Sequence, residues 1–269
     1  MVTGKPLLDV LTGKKPSRVP IWFMRQAGRC LPEYRAIRSR MNTYDMFQDS
    51  EIACHISLQP LARFDYDACI VYADILHIAD ALDSGLTFVR GDGPVMTRTV
   101  RGAEDLVRVR ARMEQQDKIH EKISCVYQTL SLVKPQLADH VTLIGFAGSP
   151  WSVATYMIEG KSPGQFRNTK RMMMEHPDYF SELMGYITSV TLQYLKAQIA
   201  SGAEVIQIFE SHAGIALTDE QYEKYCLPSI GYIISEIKKE SSTPLIYFIN
   251  GSFGKIASLN GVFRYIDAF

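Results

Sequence analysis

Six short runs of apolar and β-branched residues recur along the chain, at 19–23, 68–72, 141–146, 204–209, 245–249 and 263–266. Each is almost continuously apolar rather than alternating. That is the pattern of strands buried on both faces, as in a parallel sheet. Between the runs the apolar period becomes helical. Phe180, Leu183, Met184, Ile187, Val190, Tyr194 and Leu195 predict a long helix that opens at Pro177 and stops at Gly202. Ile119, Ile123, Val126, Leu130 and Val133 predict another, ended by Pro135. Thr218 and Gln221 form a capping-box pattern, and Pro228 is expected to kink or split the helix that follows. The stretch 86–96 reads as a hairpin turning at Gly91-Asp-Gly-Pro94.

Strands alternating with helices predict an α/β fold with a parallel sheet. Six strands suit an open doubly wound sheet or a (β/α)8 TIM barrel, and the absence of a Gly-rich turn after the first strand favours the barrel. A barrel gathers its reactive groups where strands end at their C-terminal side. After the first run stand Arg25, Arg29 and Arg35, a cationic loop that either holds carboxylates or is solvated and paired to Glu33. After the second comes Asp74, a helix N-cap or a working acid. After the third come Ser149, a plain N-cap before Pro150, and Tyr156, either core or cleft-facing. After the fourth come Glu210, Ser211 and His212. Together these describe a cleft for a polyanion with hydrogen-bond donors at its centre.

Composition narrows the classes. The 269 residues are 46% hydrophobic and 22% charged, with 29 Lys+Arg against 29 Asp+Glu and a net charge of +0. A single domain over 1–269 is expected, and a nucleic acid held by bulk charge is not. There is no signal-like N-terminus and no apolar run long enough for a membrane helix, so the expected location is cytoplasmic. Five scattered cysteines (30, 54, 69, 125, 226) read as free thiols, and six histidines show no ligand spacing, so neither a metal nor a cofactor is expected.

Longer motifs point further. Pro-Ile-Trp-Phe-Met-Arg-Gln-Ala-Gly-Arg at 20–29, followed by Leu-Pro-Glu-Tyr-Arg at 31–35, closely resembles the first signature of the uroporphyrinogen decarboxylase family. Gly-Phe-Ala-Gly-Ser-Pro-Trp at 145–151, running on to Thr-Tyr-Met-Ile-Glu-Gly at 155–160, resembles the second. Ala-Asp-Ile-Leu at 73–76 and Phe-Glu-Ser-His-Ala-Gly at 209–214 match further blocks. The resemblance implies a cofactor-free (β/α)8 barrel acting as a homodimer. The implied reaction removes four acetate carboxyls of uroporphyrinogen III as CO₂, giving coproporphyrinogen III. It implies site residues Arg25, Gln26, Arg29, Asp74, Tyr156 and Ser211, with Asp74, Arg25 and Arg29 catalytic.

Three departures accompany it. Cys30 stands where the family usually has tyrosine, and Ala73 where serine is common. After 249 the match weakens, and 263–266 reads as a sixth strand with Asp267 at its mouth. About six of eight β/α units are then present. The remaining two correspond to roughly 60–100 residues, and to a further family histidine. Open apolar edges would make this chain aggregation-prone or inactive by itself. Two alternatives remain. One is a corrinoid-linked methyltransferase of the same superfamily, which needs a His/Cys zinc site. The other is an inactive tetrapyrrole-binding relative.

Overall fold

The computed structural model describes residues 4–89, 93–162, 164–251 and 263–269. Its strands are β1 (Ala68–Ile70), β2 (Leu86–Val89), β3 (Gly93–Met96), β4 (Thr142–Gly148), β5 (Val205–Glu210) and β6 (Leu245–Ile249). β1, β4, β5 and β6 pair in that order, all parallel. Each new strand therefore joins on the same side as the last. A doubly wound sheet would instead place a later strand on the other side of its first, so this order is that of the barrel type. β2 and β3 form the expected antiparallel hairpin, whose turn at 90–92 lies outside the described residues.

The outer two runs differ from expectation. Residues 19–23 are not a strand. They run beside β1, joined by one backbone bond from Asp67 N–H to Ile21 O at 2.9 Å. Val19, Ile21 and Phe23 are 79%, 53% and 59% exposed, so among the described residues the apolar pattern that suggested a doubly buried strand has no partner on one side. The last run is also no strand. Phe263–Tyr265 is a 3-10 turn, after which Ala268 makes a single parallel bridge to Ile246. Asp267 does not stand at a strand mouth. Its carboxylate takes the Leu245 N–H and the Lys238 ammonium, each at 2.8 Å, at the opposite end of β6 from the cleft. Both runs still lie beside the neighbours that the chain order assigns them.

The helical expectations hold. Pro177–Ala200 begins on its proline, and Gly202 follows with φ +105 just before β5. Gln116–Val133 gives way to a 3-10 turn at Lys134–Gln136, which contains Pro135. Asp219–Tyr225 carries the full Thr218–Gln221 capping box, and the chain breaks at Cys226 so that Pro228 sits in the first turn of Leu227–Glu240.

Register fixes the two faces of the sheet. Ile70, Ile144 and Val205 share one face with Phe146, Gln207 and Phe209, and this face looks into the barrel. The other face meets the helices. A Cβ on Gly145 would lie 2.6 Å from Gln198 Oε1 and 3.0 Å from the Ala203 methyl, so only glycine allows this contact. Gln198 uses that proximity to bond both the N–H and the carbonyl of Phe146, each at 2.9 Å. Trp151, Phe180 and Tyr194 are almost wholly buried in the layer between.

Candidate active site

A cleft opens at the C-terminal ends of β1, β4 and β5. It has an inner chamber of about 370 Å³ and an outer one of about 810 Å³. Arg25, Ala27, Tyr72, Asp74 and Pro94 line both. Tyr156 and Ser211 line the inner chamber, while Arg29, Cys30 and Arg38 line the outer. Five of the six site residues read from the sequence thus meet in one cleft.

Gln26 is the sixth, and it faces the other way. It is 5% exposed; its carbonyl accepts from Phe23 N–H at 3.1 Å and its amide donates to Ala68 O at 3.0 Å. It pins the cationic loop to β1 rather than lining either chamber. Arg35 secures the loop's far end by donating to Arg29 O and Cys30 O at 2.8 and 3.1 Å. Glu33, the acid nearest in sequence, is paired to Arg63 instead. Among the described residues, Arg25 and Arg29 form no ion pair, and their charges face the cleft.

Asp74 sits beyond the end of β1 and is not a helix N-cap. The next helix, His77–Ala81, begins three residues later behind Leu76. Asp74 Oδ1 accepts Leu76 N–H at 2.9 Å in a tight turn. The carboxyl is partly open to the cleft but otherwise enclosed by protein. That enclosure pushes its pKa from 3.8 up to about 6, against the opposing pull of the Leu76 N–H and the Arg25 charge. It is therefore a carboxylate at neutral pH, held next to a guanidinium. Tyr156, half-buried, faces the cleft; burial raises its pKa, with the Ser162 hydroxyl acting the other way, so it remains a donor.

The Glu210–Ser211–His212 triplet is more organised than its sequence suggests. Glu210 is wholly buried on the helix side of β5. Its Oε1 accepts from the Ser152 hydroxyl, His212 N–H at 3.1 Å and Ala213 N–H at 2.9 Å. Ser152 Oγ in turn accepts Ser211 N–H at 2.9 Å, so Glu210 fixes the backbone that presents Ser211 to the cleft. His212 lies against Tyr156 and Phe166, each ring centre 5.3 Å away. Thr155 gives its hydroxyl hydrogen to Ser152 O at 2.7 Å, which leaves its oxygen to accept from His212 Nδ1 at 3.0 Å. The imidazole therefore carries its proton on Nδ1 and a lone pair on Nε2. Burial lowers its pKa from 6.5 to about 4, keeping it neutral. Ser149, expected as an N-cap, holds the cap position but makes no capping bond with its hydroxyl.

No disulfide joins the five cysteines; four are buried and Cys30 is exposed at the cleft. Among the described residues no group of three His, Cys, Asp or Glu side chains gathers as a metal site, and no helix is long and apolar enough to cross a membrane.

The strand order and the placement of charged groups at C-terminal strand ends define an enzyme-type α/β barrel with an arginine-lined cleft. Residues 3–262 match the family model for uroporphyrinogen decarboxylase (URO-D). The chain is 42% identical over 250 residues to a uroporphyrinogen decarboxylase of Jannaschia sp. (strain CCS1), covering 92% of this chain and 71% of that one. It is 41% identical to one from Pelobacter propionicus, covering 91% of this chain and 69% of the relative. The chain belongs to the uroporphyrinogen decarboxylase family. A methyltransferase from Methanosarcina mazei shares the fold, with a TM-score of 0.72 over 97% of this chain and 73% of that one, at 14% identity.

Proposed function

We propose that the chain is a carboxy-lyase that converts uroporphyrinogen III to coproporphyrinogen III, without a cofactor, in haem and porphyrin synthesis. The observation that carries this reading is the placement of Asp74, a partly enclosed carboxylate, in a cleft whose mouth holds the uncommitted charges of Arg25 and Arg29. Loss of CO₂ from a pyrrole acetate leaves an electron pair that needs a sink. A proton from solvent added to the pyrrole carbon makes the ring that sink; as CO₂ leaves, its electron pair neutralises the ring and forms an exocyclic methylene, which takes up a proton to become the methyl while the ring carbon gives its own back to solvent. The ring cation formed by the first protonation is stabilised by Asp74, which also accepts the pyrrole N–H groups. Arg25 and Arg29 hold side-chain carboxylates in two-bond forks; an arginine is a poor proton donor, so charge pairing is its main service. Tyr156 and Ser211 donate to further carboxylates. Gln26 acts through the loop it pins. The reading includes a homodimer in the cytoplasm, which rests on the family resemblance, the balanced charge and cysteines that form no disulfide.

The test is incubation with uroporphyrinogen III under reducing conditions, with CO₂ and the seven- to four-carboxylate products separated by chromatography. Stepwise loss of carboxylates, abolished by replacing Arg25 and Arg29 with alanine, is expected. A folded protein that neither binds the octa-acid nor releases CO₂ refutes the reading.

A further inference from the structure

Tyr72 and Tyr34 form a hydroxyl pair in the cleft wall, with O···O at 3.0 Å. The rings meet edge to face at 5.8 Å, and Phe47 packs against Tyr72 at 4.9 Å, so neither phenol is free to swing. A pair of hydroxyls owns two hydrogens and spends one between its members. Among the described residues neither hydroxyl has another hydrogen-bond partner, so one hydrogen is left over. Both side chains line the outer chamber, but Tyr34 is 6% exposed, and Tyr72 is the more open of the two and lines the inner chamber as well. Tyr72 also stands two residues before Asp74, at the passage between the chambers.

We infer that Tyr72 is a further substrate-contacting residue: Tyr34 donates to Tyr72, and Tyr72 donates its own hydrogen to a carboxylate of the bound substrate at the junction of the two chambers. The inference rests on the decarboxylase reading and adds a specificity element to its site. Burial above all, together with the nearby Asp74 charge, raises the Tyr72 pKa far above neutrality, so the donor stays protonated. An uncharged donor adds selectivity that salt does not screen, unlike the arginines at the mouth.

The test is equilibrium binding of uroporphyrin III, a stable octa-acid, to the full chain, read by porphyrin fluorescence at low and high salt. The proteins are wild type, Tyr72→Phe and Tyr34→Phe. Both variants are near-isosteric, and a thermal melt checks folding. Tyr72→Phe is expected to bind about tenfold more weakly, the loss of one hydrogen bond to a charged group. The wild-type to Tyr72→Phe ratio should stay constant as salt lowers every affinity. Tyr34→Phe should lose no more than about threefold, because Tyr72 keeps its own hydrogen. Equal binding by Tyr72→Phe and wild type overturns the inference and leaves the decarboxylase reading standing. Wild-type protein that does not bind the octa-acid overturns both.

Discussion

Replacing Asp74 with asparagine should trade activity for stability. The amide keeps the size of the carboxyl and an oxygen to accept Leu76 N–H, so the turn after β1 survives. What disappears is a negative charge in a poorly solvated place. The Asp74 pKa rises from 3.8 to about 6 because burial disfavours the ion. A raised carboxyl pKa means the folded state holds its proton more tightly than the unfolded chain does. Its favourable contribution is complete below pH 3.8 and is lost as pH rises through about 6. The shift corresponds to at most about 3 kcal/mol, less whatever water in the cleft screens. Asp74→Asn carries no such penalty. It should be more stable than wild type by about 1–3 kcal/mol at pH 8 and equal to it near pH 3.8. Urea unfolding of both proteins across this range gives the difference directly, cancelling every other titrating group. Turnover should fall by at least about a hundredfold, as expected when a preorganised charge facing a developing cation is removed. A variant less stable than wild type at pH 8, or one that keeps full turnover, would contradict the reasoning.

Gln26→Ala should unpin the cationic loop from β1 and raise KM several-fold while the melting temperature shifts only slightly; steady-state kinetics beside a thermal melt check this, and an unchanged KM counts against the pinning role. Glu210→Ala leaves the Ser152 hydroxyl and the N–H groups of His212 and Ala213 without their buried acceptor, and should cost about 3 kcal/mol or more in urea unfolding; Glu210→Gln, which keeps an acceptor oxygen, should recover a large part of it. His212 should appear in two-bond ¹H–¹⁵N spectra as the Nδ1-protonated neutral tautomer, and a Thr155→Val variant should lose that preference. Because its pKa is depressed to about 4, the stability linked to His212 is full above pH 6.5 and drains away as pH falls towards 4; His212→Gln should flatten that part of the acid-unfolding profile.

The local pattern of the chain carried most of the element assignments. Proline at 177, glycine at 202 and the Thr218–Gln221 pair act through backbone geometry within a few residues, and each was legible because nothing distant is needed to satisfy it. The residues 68–70, 142–148, 205–210 and 245–249 became strands because each finds neighbours on its flanks. Residues 19–23 have the same composition but only one neighbour among the described residues, and hydrogen-bonded pairing, unlike apolar content, requires a partner. The arginine loop, Asp74, Tyr156 and Ser211 could be collected from the sequence because strand ends of an α/β barrel share one rim. Which way a side chain points on that rim could not. Gln26 sits between two cleft-facing arginines yet turns inward, since the N–H of Phe23 and the carbonyl of Ala68 need its amide. Glu210 reads as one polar residue among three, and only the approach of Ser152 from a helix 58 positions away makes it the anchor of Ser211. Tyr34 falls within the first signature, but no motif links it to Tyr72, 38 positions on. Sequence alone determined the chemistry available at the rim and the order of the strands that carry it. The direction of each side chain, the proton position on His212 and the enclosure that lifts Asp74 were decided by contacts between distant segments, because hydrogen bonding and desolvation depend on what the fold brings near.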